Sequence, residues 1–119
     1  KLTMASGRRI EQLSVLLKEE LSKIIDRELE FPEGSMVTLT RMAISKDTRY
    51  ATIFFSVLGS TELEVTAIFM KNIYPIQQML NRAVRMRPVP QIRFLPDSAE
   101  DRRERVEKSL AELKRAGEI

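Results

Sequence analysis

The chain has 119 residues, of which 43% are apolar and 31% are charged, and this predicts one globular domain with a real core. It contains no cysteine, which excludes disulfides, thiol nucleophiles and thiolate metal sites. It also contains no histidine, the commonest general base and the commonest metal ligand. We therefore expect no catalytic activity, no metal site and no cofactor. No apolar run approaches the roughly 20 residues that a membrane span needs.

The positive charge is concentrated in one stretch of the chain. The formal net charge is +3, and no acidic residue occurs between Glu64 and Asp97. Five basic residues fall in that stretch: Lys71, Arg82, Arg85, Arg87 and Arg93. Because these five exceed the net charge of the whole chain, the stretch carries the entire positive excess. Such a stretch is a candidate surface for phosphate groups.

The first predicted element is a long helix. Apolar residues recur at steps of three and four between Arg8 and Glu30, which predicts an amphipathic helix of about six turns. Pro32 and Gly34 end it, because proline cannot continue a helix and glycine suits a turn. We expect residues 1–7 to be a flexible N-terminal segment, residues 8–116 to form the domain and residues 117–119 to be a tail.

Two strands follow and predict an antiparallel hairpin. Residues 36–45 alternate between apolar and polar side chains, and the alternation changes phase after Arg41. One extra residue in a β-bulge would produce that change. Residues 50–58 form the second strand, which has apolar residues on both faces and is therefore predicted to be central.

The next predicted element is a helix with a break. Thr61 and Glu64 have the spacing of a capping box, which marks a helix start. Pro75 interrupts the helical pattern, so we expect a break near residues 72–75. In the second helical segment, Arg82 and Arg85 are predicted to share the outward face.

A third strand, from Gln91 to Leu95, and a final helix, which begins at Ser98, complete the order α-β-β-α-α-β-α. The long helical connection between the second and third strands predicts that they are parallel. The predicted fold is therefore α+β, with a three-stranded mixed sheet, helices packed on one face and the other face comparatively open.

This order of elements is that of type II KH domains, a common RNA-binding module. Two segments also resemble the ribosome-binding factor A (RbfA) family. The first is the hairpin, Val37 to Asp47 and Tyr50 to Gly59. The second is Arg85 to Phe94, which is similar to the family's arginine-rich helix end, its Val-Pro and its last strand. Leu-Lys-Glu-Glu-Leu in the first helix also fits, so the resemblance covers roughly residues 8–115.

The resemblance implies a small assembly factor of the bacterial small ribosomal subunit, a family also present in organelles. Such a factor binds the maturing small-subunit rRNA near the decoding region and assists late processing and folding, notably in the cold, without catalysis. The resemblance thus implies a cytoplasmic protein, or one of an organellar matrix if a transit peptide was removed. Its partner would be the small ribosomal subunit with its rRNA, and we expect the protein to be a monomer.

The chain departs from KH domains at the helical break. KH domains clamp nucleotides with a Gly-x-x-Gly loop there, and the RbfA family has an Ala-x-Gly kink instead. This sequence has Asn72-Ile73-Tyr74 followed by Pro75, without any glycine. We therefore expect Pro75 to make the bend, and we expect no contact that needs a close backbone approach to RNA at this point.

The candidate RNA-binding residues form three groups. Arginine predominates in them, and its guanidinium suits phosphate oxygens and stacks on bases. For each group the alternative is a solvated surface, and Tyr74 and Asn72 have the further alternatives of ring packing and helix capping. The main group is Arg82, Arg85, Arg87 and Arg93; the break contributes Lys71, Asn72 and Tyr74; and the hairpin contributes Arg41, Lys46 and Arg49.

A second hypothesis belongs to a different class of function. The chain could be a protein-interaction module that docks on a ribosomal protein without direct RNA contact. A salt-dependent affinity for RNA would separate the two, because neutralised phosphates release counterions. A small hydrolase is the third alternative, and the lack of histidine and cysteine argues strongly against it.

Overall fold

The computed structural model describes residues 7–97 and residues 107, 108, 110, 111 and 113. Its elements are α1 (Gly7–Glu28), β1 (Met36–Ile44), β2 (Tyr50–Leu58), α2 (Glu62–Lys71), α3 (Ile73–Ala83) and β3 (Gln91–Pro96). The predicted final helix falls mostly outside the described residues, although the five described residues within it are helical.

The three strands form one sheet in the order β1-β2-β3. The central strand β2 pairs with β1 antiparallel and with β3 parallel, so the predicted mixed sheet with a helical crossover is confirmed. The register between β1 and β2 shifts between Leu39 and Arg41, which leaves Thr40 unpaired. The predicted β-bulge is therefore present, and it lets Leu39 and Met42 both face the core.

Helices α1, α2 and α3 cover one face of this sheet. Helix α1 packs on β1 and α3, while α2 packs on β2 and β3. The covered face contributes buried residues from β2 and β3, and most of the others come from the helices. The core includes Ala51, Ile53, Phe55, Ile92, Phe94, Leu17, Leu21, Ile24, Val65, Phe69, Ile76, Leu80 and Val84. On the opposite face, Tyr50 and Leu58 are 58% and 69% exposed, so that face is comparatively open, as predicted.

Phe69 connects the helical layer to the sheet. Its ring lies parallel to that of Phe94, with 4.1 Å between the centroids. It also contacts Phe55 at 4.9 Å and the ring of Phe31, which follows α1, at 5.5 Å. Aromatic pairs contribute about 0.5–1.5 kcal/mol each beyond their buried area. This cluster therefore fixes α2 on the parallel half of the sheet.

The start of α2 has the predicted cap in part. The Thr61 hydroxyl accepts a hydrogen bond from the Glu64 backbone N–H at 3.1 Å, as in a capping box. The Glu64 carboxylate accepts from the Ser60 hydroxyl at 2.9 Å, one residue before the backbone N–H that a full box would use.

The end of β3 is held by a buried carboxylate. The Asp97 backbone N–H donates to the Phe55 carbonyl at 2.7 Å, which extends the ladder with β2. The hydroxyl of the bulged residue Thr40 donates to Asp97 Oδ2 at 2.6 Å. Because Thr40 belongs to β1 and Asp97 follows β3, this hydrogen bond joins the two outer strands across the central one.

The aromatic cluster generates a stability prediction. Phe69→Ala should lower the free energy of unfolding by about 3–5 kcal/mol, because it removes a large buried ring and leaves a cavity. Leu63→Ala is the matched control, since Leu63 lies on the same helix and is 83% exposed; it should change stability by about 0.5 kcal/mol or less. Urea unfolding measures both. Equal losses for the two variants would contradict the role given to Phe69.

Candidate nucleic-acid interface

The helical break lies where the sequence predicts it. Helix α2 ends at Lys71 and α3 begins at Ile73, so Asn72 is the one residue between them. Pro75 lies in the first turn of α3 and has no N–H to donate back to the Lys71 carbonyl. The missing hydrogen bond prevents the two helices from continuing as one.

The side chain of Asn72 is used inside the fold. Its Nδ2 donates to the Ile68 carbonyl at 2.8 Å, and its backbone N–H lies 3.2 Å from the carbonyls of Ile68 and Phe69. These contacts satisfy carbonyls at the end of α2 that would otherwise lack partners. The geometry therefore favours the capping role for Asn72. Its neighbours Lys71 and Tyr74 are exposed, Tyr74 by 73%.

The conformational freedom of glycine is used in turns and not at the break. Gly34 and Gly59 both have a φ of +81°, in the region that side chains rarely adopt. A Cβ at Gly59 would also collide with the Gly34 carbonyl oxygen. These two residues allow the turns before β1 and after β2 to lie close together, and neither belongs to the break.

Arg82 and Arg85 do not share a helical face. Arg82 is exposed in the last turn of α3, but the helix ends at Ala83 and Val84 is extended, with φ −114° and ψ 150°. Arg85 therefore lies beyond the helix, and its predicted position on the outward helical face is wrong. Val84 is apolar and buried, so its position in the sequence still fits the spacing of a helix. Its backbone, however, is already extended and leads toward β3.

Arg87 is exposed, but its guanidinium is anchored to the loop that it belongs to. Its Nη1 donates to the carbonyl of Val84 at 2.8 Å and to that of Met86 at 2.6 Å. Both carbonyls lie in the connection between α3 and β3. Arg87 therefore shapes this loop, and its remaining N–H groups are held in a fixed position near the start of β3.

Two arginines from different strands lie on the open face of the sheet. The Arg41 guanidinium lies over the Phe54 ring, with Cζ 3.7 Å from the centroid. The Arg41 Nε is buried and has no hydrogen-bond partner in the described part of the chain. The contact with the Phe54 ring is therefore the interaction that stabilises this guanidinium. Arg93 Nε donates to Thr52 Oγ1 at 3.0 Å. Residues 41 and 93 flank β2, so the structure brings together two arginines that the sequence separates.

The hairpin turn is organised by Asp47. Its Oδ1 accepts from the Ser45 hydroxyl at 2.7 Å and from the Arg49 backbone N–H at 3.1 Å. The Ser45 hydrogen bond first, and the Arg49 N–H second, lower the pKa of the Asp47 carboxyl below its usual 3.8. Lys46 and Arg49 are exposed on either side of Asp47. The turn therefore exposes two cations, and its one carboxylate already accepts hydrogen bonds within the turn.

The hairpin meets the loop before β3 at one end of the sheet. A cavity of about 330 Å³ is lined there by Arg49 and Tyr50 from the hairpin, and by Pro88, Val89 and Gln91 from the loop and β3. A neighbouring cavity of about 520 Å³ includes Tyr74 and Arg87 in its lining. The cavities at this end of the sheet are thus lined by four of the candidate residues. These are Arg49, Tyr74, Arg87 and Arg93.

Sequence reasoning overlooked Tyr50 and Gln91, which line this end of the sheet. The two residues are partners in the register between β2 and β3, and both are exposed. The alternation of side chains in β2 could have identified Tyr50. Because Tyr50 precedes the core residue Ala51, its side chain must lie on the open face of the sheet. The register of β3, which brings Gln91 beside it, could not be derived from the sequence pattern.

Neither a metal-binding group nor a membrane span is found among the described residues. They contain no group of three acidic residues, histidines or cysteines that could hold a metal ion. No helix among them is long and apolar enough to cross a membrane.

These features define a type II KH-like domain that has no glycine at its helical break and has cations around one end of its sheet. The crystal structure of ribosome-binding factor A from Thermus thermophilus is similar, with a TM-score of 0.64 and 27% identity, covering 72% of this chain and 92% of that one. A homology model of the Thermus thermophilus protein, fitted into a cryo-EM map of a 30S–RbfA complex, has a TM-score of 0.62 and 27% identity, covering 71% and 90%.

The sequence comparisons identify the family. The family model described as Ribosome-binding factor A matches residues 9–110. The ribosome-binding factor A of Protochlamydia amoebophila is 35% identical over 108 residues, which are 88% of this chain and 82% of that relative. That of Dictyoglomus thermophilum is 36% identical over 114 residues, covering 88% and 90%. The chain belongs to the ribosome-binding factor A family, which confirms the resemblance found in its sequence.

The hairpin turn generates a prediction about pH. A lowered pKa means that Asp47 stabilises the fold above the unfolded pKa, and that this contribution is lost as the pH falls through the folded pKa. Ser45→Ala should raise the pKa of Asp47 toward 3.8, because it removes the largest cause of the shift. Carboxyl-carbon NMR titration measures this. Thr38→Ala, which removes a hydroxyl from β1 away from the turn, should leave the pKa of Asp47 unchanged, and an equal shift in both variants would refute the assignment.

Proposed function

We propose that the protein binds the immature small ribosomal subunit through its rRNA and assists late rRNA maturation and processing. The observation that carries this proposal is the stretch between Glu64 and Asp97, which has five basic residues and no acidic one. It includes most of α2 and the whole of α3 and β3, and all five basic side chains are exposed. The fitted 30S–RbfA complex of a family member gives independent support.

The available charge also favours phosphate as the partner group. Within the described residues, the salt bridges are Glu20–Lys23 and Arg27–Glu28, both on α1. The basic residues of the acid-free stretch belong to neither of them. Their charge is therefore not neutralised within the described part of the fold, so it can attract rRNA phosphates.

The mechanism we propose is binding and release, without a chemical step. A factor that binds one arrangement of immature rRNA more tightly than the others shifts the population toward that arrangement. Maturation would then weaken the binding and release the factor. The chain's own side chains supply positioning and charge, and neither histidine nor cysteine is present to supply a nucleophile or a base of the usual kind.

An apolar groove favours a second candidate function. A cavity of about 320 Å³ lies between α2 and β3, and its lining includes Phe69, Met70 and Leu95. Met70 is 71% exposed, and Leu63 on the same helix is 83% exposed. An exposed apolar area of this kind suits a protein partner, such as a ribosomal protein. We rank binding to a protein second, because Arg93 is the one candidate RNA-binding cation in the described lining of this groove. The other basic residues of the acid-free stretch would then have no role.

We further propose that residues 8–116 act as one monomeric domain in the cytoplasm, or in an organellar matrix. The segments 1–7 and 117–119 would be peripheral to it. Each cation would then contact rRNA from a single copy of the chain, and binding to the subunit would follow a one-to-one stoichiometry.

The double variant Arg82→Glu/Arg85→Glu tests the proposed interface without disturbing Arg87, which holds its loop. It should weaken binding to immature small subunits by about tenfold or more, because two phosphate contacts become repulsive. The matched control is Lys23→Glu/Arg27→Glu on α1, which changes the net charge equally and should retain binding. Co-sedimentation at several salt concentrations gives both affinities. Equal losses in the two variants would attribute binding to net charge alone.

A second prediction concerns the type of RNA recognition. Because phosphate contacts carry little sequence information, binding to short single strands should be weak, strongly salt-dependent and nearly indifferent to sequence. Titration of labelled oligonucleotides of varied sequence measures this, with a KH domain that has its Gly-x-x-Gly loop as the control. Tight binding to one tetranucleotide, with large losses on single-base changes, would show that the break still clamps nucleotides.

A further inference from the structure

Three cavities with common lining residues lie at the end of the sheet where β3 begins. Their volumes are about 520, 330 and 440 Å³, each within the roughly 300–1,000 Å³ of ligand pockets. Gln91 lines all three, and Tyr50 lines the second and the third. The three cavities therefore share lining residues at this end of the sheet. We call them the Gln91 channel, whose chief lining residues are Tyr74, Arg87, Gln91, Arg49, Tyr50 and Arg93.

The chemistry of the channel is consistent along its length. None of the described residues that line the three cavities is acidic. A guanidinium lines each cavity: Arg87 in the first, Arg49 in the second and Arg93 in the third. A tyrosine also lines each one, since Tyr74 belongs to the first and Tyr50 to the other two. Cations alternating with exposed aromatic rings are typical of surfaces that bind single-stranded nucleic acid.

The floor of the channel is held rigidly. The Gln91 backbone N–H donates to the Arg49 carbonyl at 2.8 Å, which joins the hairpin to β3. On either side of Gln91, the Gln77 amide accepts from the Ile92 N–H at 2.9 Å and donates to the Pro90 carbonyl at 3.0 Å. These contacts fasten α3 to the start of β3. The backbone of Gln91 is therefore fixed while its side chain remains exposed.

We propose that the Gln91 channel holds a short single-stranded segment of RNA, with bases stacked on Tyr50 and Tyr74 and phosphates beside Arg49, Arg87 and Arg93. This inference rests on the proposed function and adds the path of the RNA on the protein. It also adds two contact residues, Tyr50 and Gln91, that lie outside the acid-free helices. The side-chain amide of Gln91 would hydrogen-bond a base edge or a ribose hydroxyl between the two rings.

RNA suits this channel better than a protein segment does. A peptide partner would meet several guanidinium groups that form no salt bridge within the described residues, and it would need acidic residues at matching positions, whereas RNA supplies a phosphate at every nucleotide. The fold also offers a separate apolar groove between α2 and β3, which is the better site for a protein segment. The charge and the rings therefore favour a nucleic-acid strand.

Variants at Tyr50 test the stacking. Tyr50→Ala should weaken binding to immature small subunits by about 5- to 150-fold, the range expected for loss of one stacked base. Tyr50→Phe keeps the ring and should retain most of the affinity. The matched control is Leu58→Ala, since Leu58 lies on the same strand and the same open face at its other end. Equal losses in Tyr50→Ala and Leu58→Ala would overturn the proposal.

Ultraviolet crosslinking of the unmodified protein bound to these subunits identifies the occupant. Mass spectrometry should find nucleotide adducts on peptides that contain Tyr50 or Tyr74. Crosslinks from the channel to a ribosomal protein would overturn the proposal in favour of a peptide occupant, and nucleotide adducts confined to α1 would overturn the path.

The outcomes separate this inference from the proposed function. If Tyr50→Ala binds normally while Arg82→Glu/Arg85→Glu loses binding, the channel is wrong and rRNA binding stands. If both variants bind normally, both proposals fail. Circular dichroism of each variant confirms that the fold is intact, and Gln91→Ala gives an independent measurement at the centre of the channel, with a loss expected there too.

Discussion

The packing of Phe69 between helix and sheet is the contact on which the arrangement of this domain depends. Its ring lies against Phe94 on β3, and it also touches Phe55 on β2, so α2 is fixed over the parallel half of the sheet. With α2 held there, the break at Asn72 allows α3 to pack on α1, and Gln77 then fastens α3 to the start of β3. The connection to β3 emerges beside the hairpin turn as a result.

This arrangement explains how a small domain separates its core from its charge. The acid-free stretch supplies apolar side chains such as Phe69, Ile76 and Leu80 to the core, at helical spacing. Its basic residues occupy the remaining positions and lie on the surface, where no acidic neighbour from the same stretch can neutralise them. Arg87 and Arg93 are further held by hydrogen bonds to protein groups, which lowers the conformational entropy that they would lose on binding.

Most of the fold could be predicted from local patterns, because periodicity, caps and proline act over a few residues. The phase change near Arg41 indicated the bulge, and Pro75 indicated the break. The position of Arg85 could not be predicted, since the burial of Val84 preserves a helical spacing after the helix has ended. The candidate site was predicted as separate groups of residues. The meeting of Tyr50 and Gln91 depends on the register between β2 and β3, which the apolar pattern does not specify.

Hydrogen exchange of the protein on the small ribosomal subunit tests the central claim most directly, because it reports which backbone segments the subunit covers. The proposed interface predicts slower exchange at the hairpin turn and in the connection from Arg85 to Gln91, relative to the unbound protein. The exposed side of α1, around Val15 and Lys23, should exchange as it does in the unbound protein. Protection confined to α1, with an unchanged hairpin turn and connection, would contradict the assignment of the RNA-binding surface to this end of the sheet.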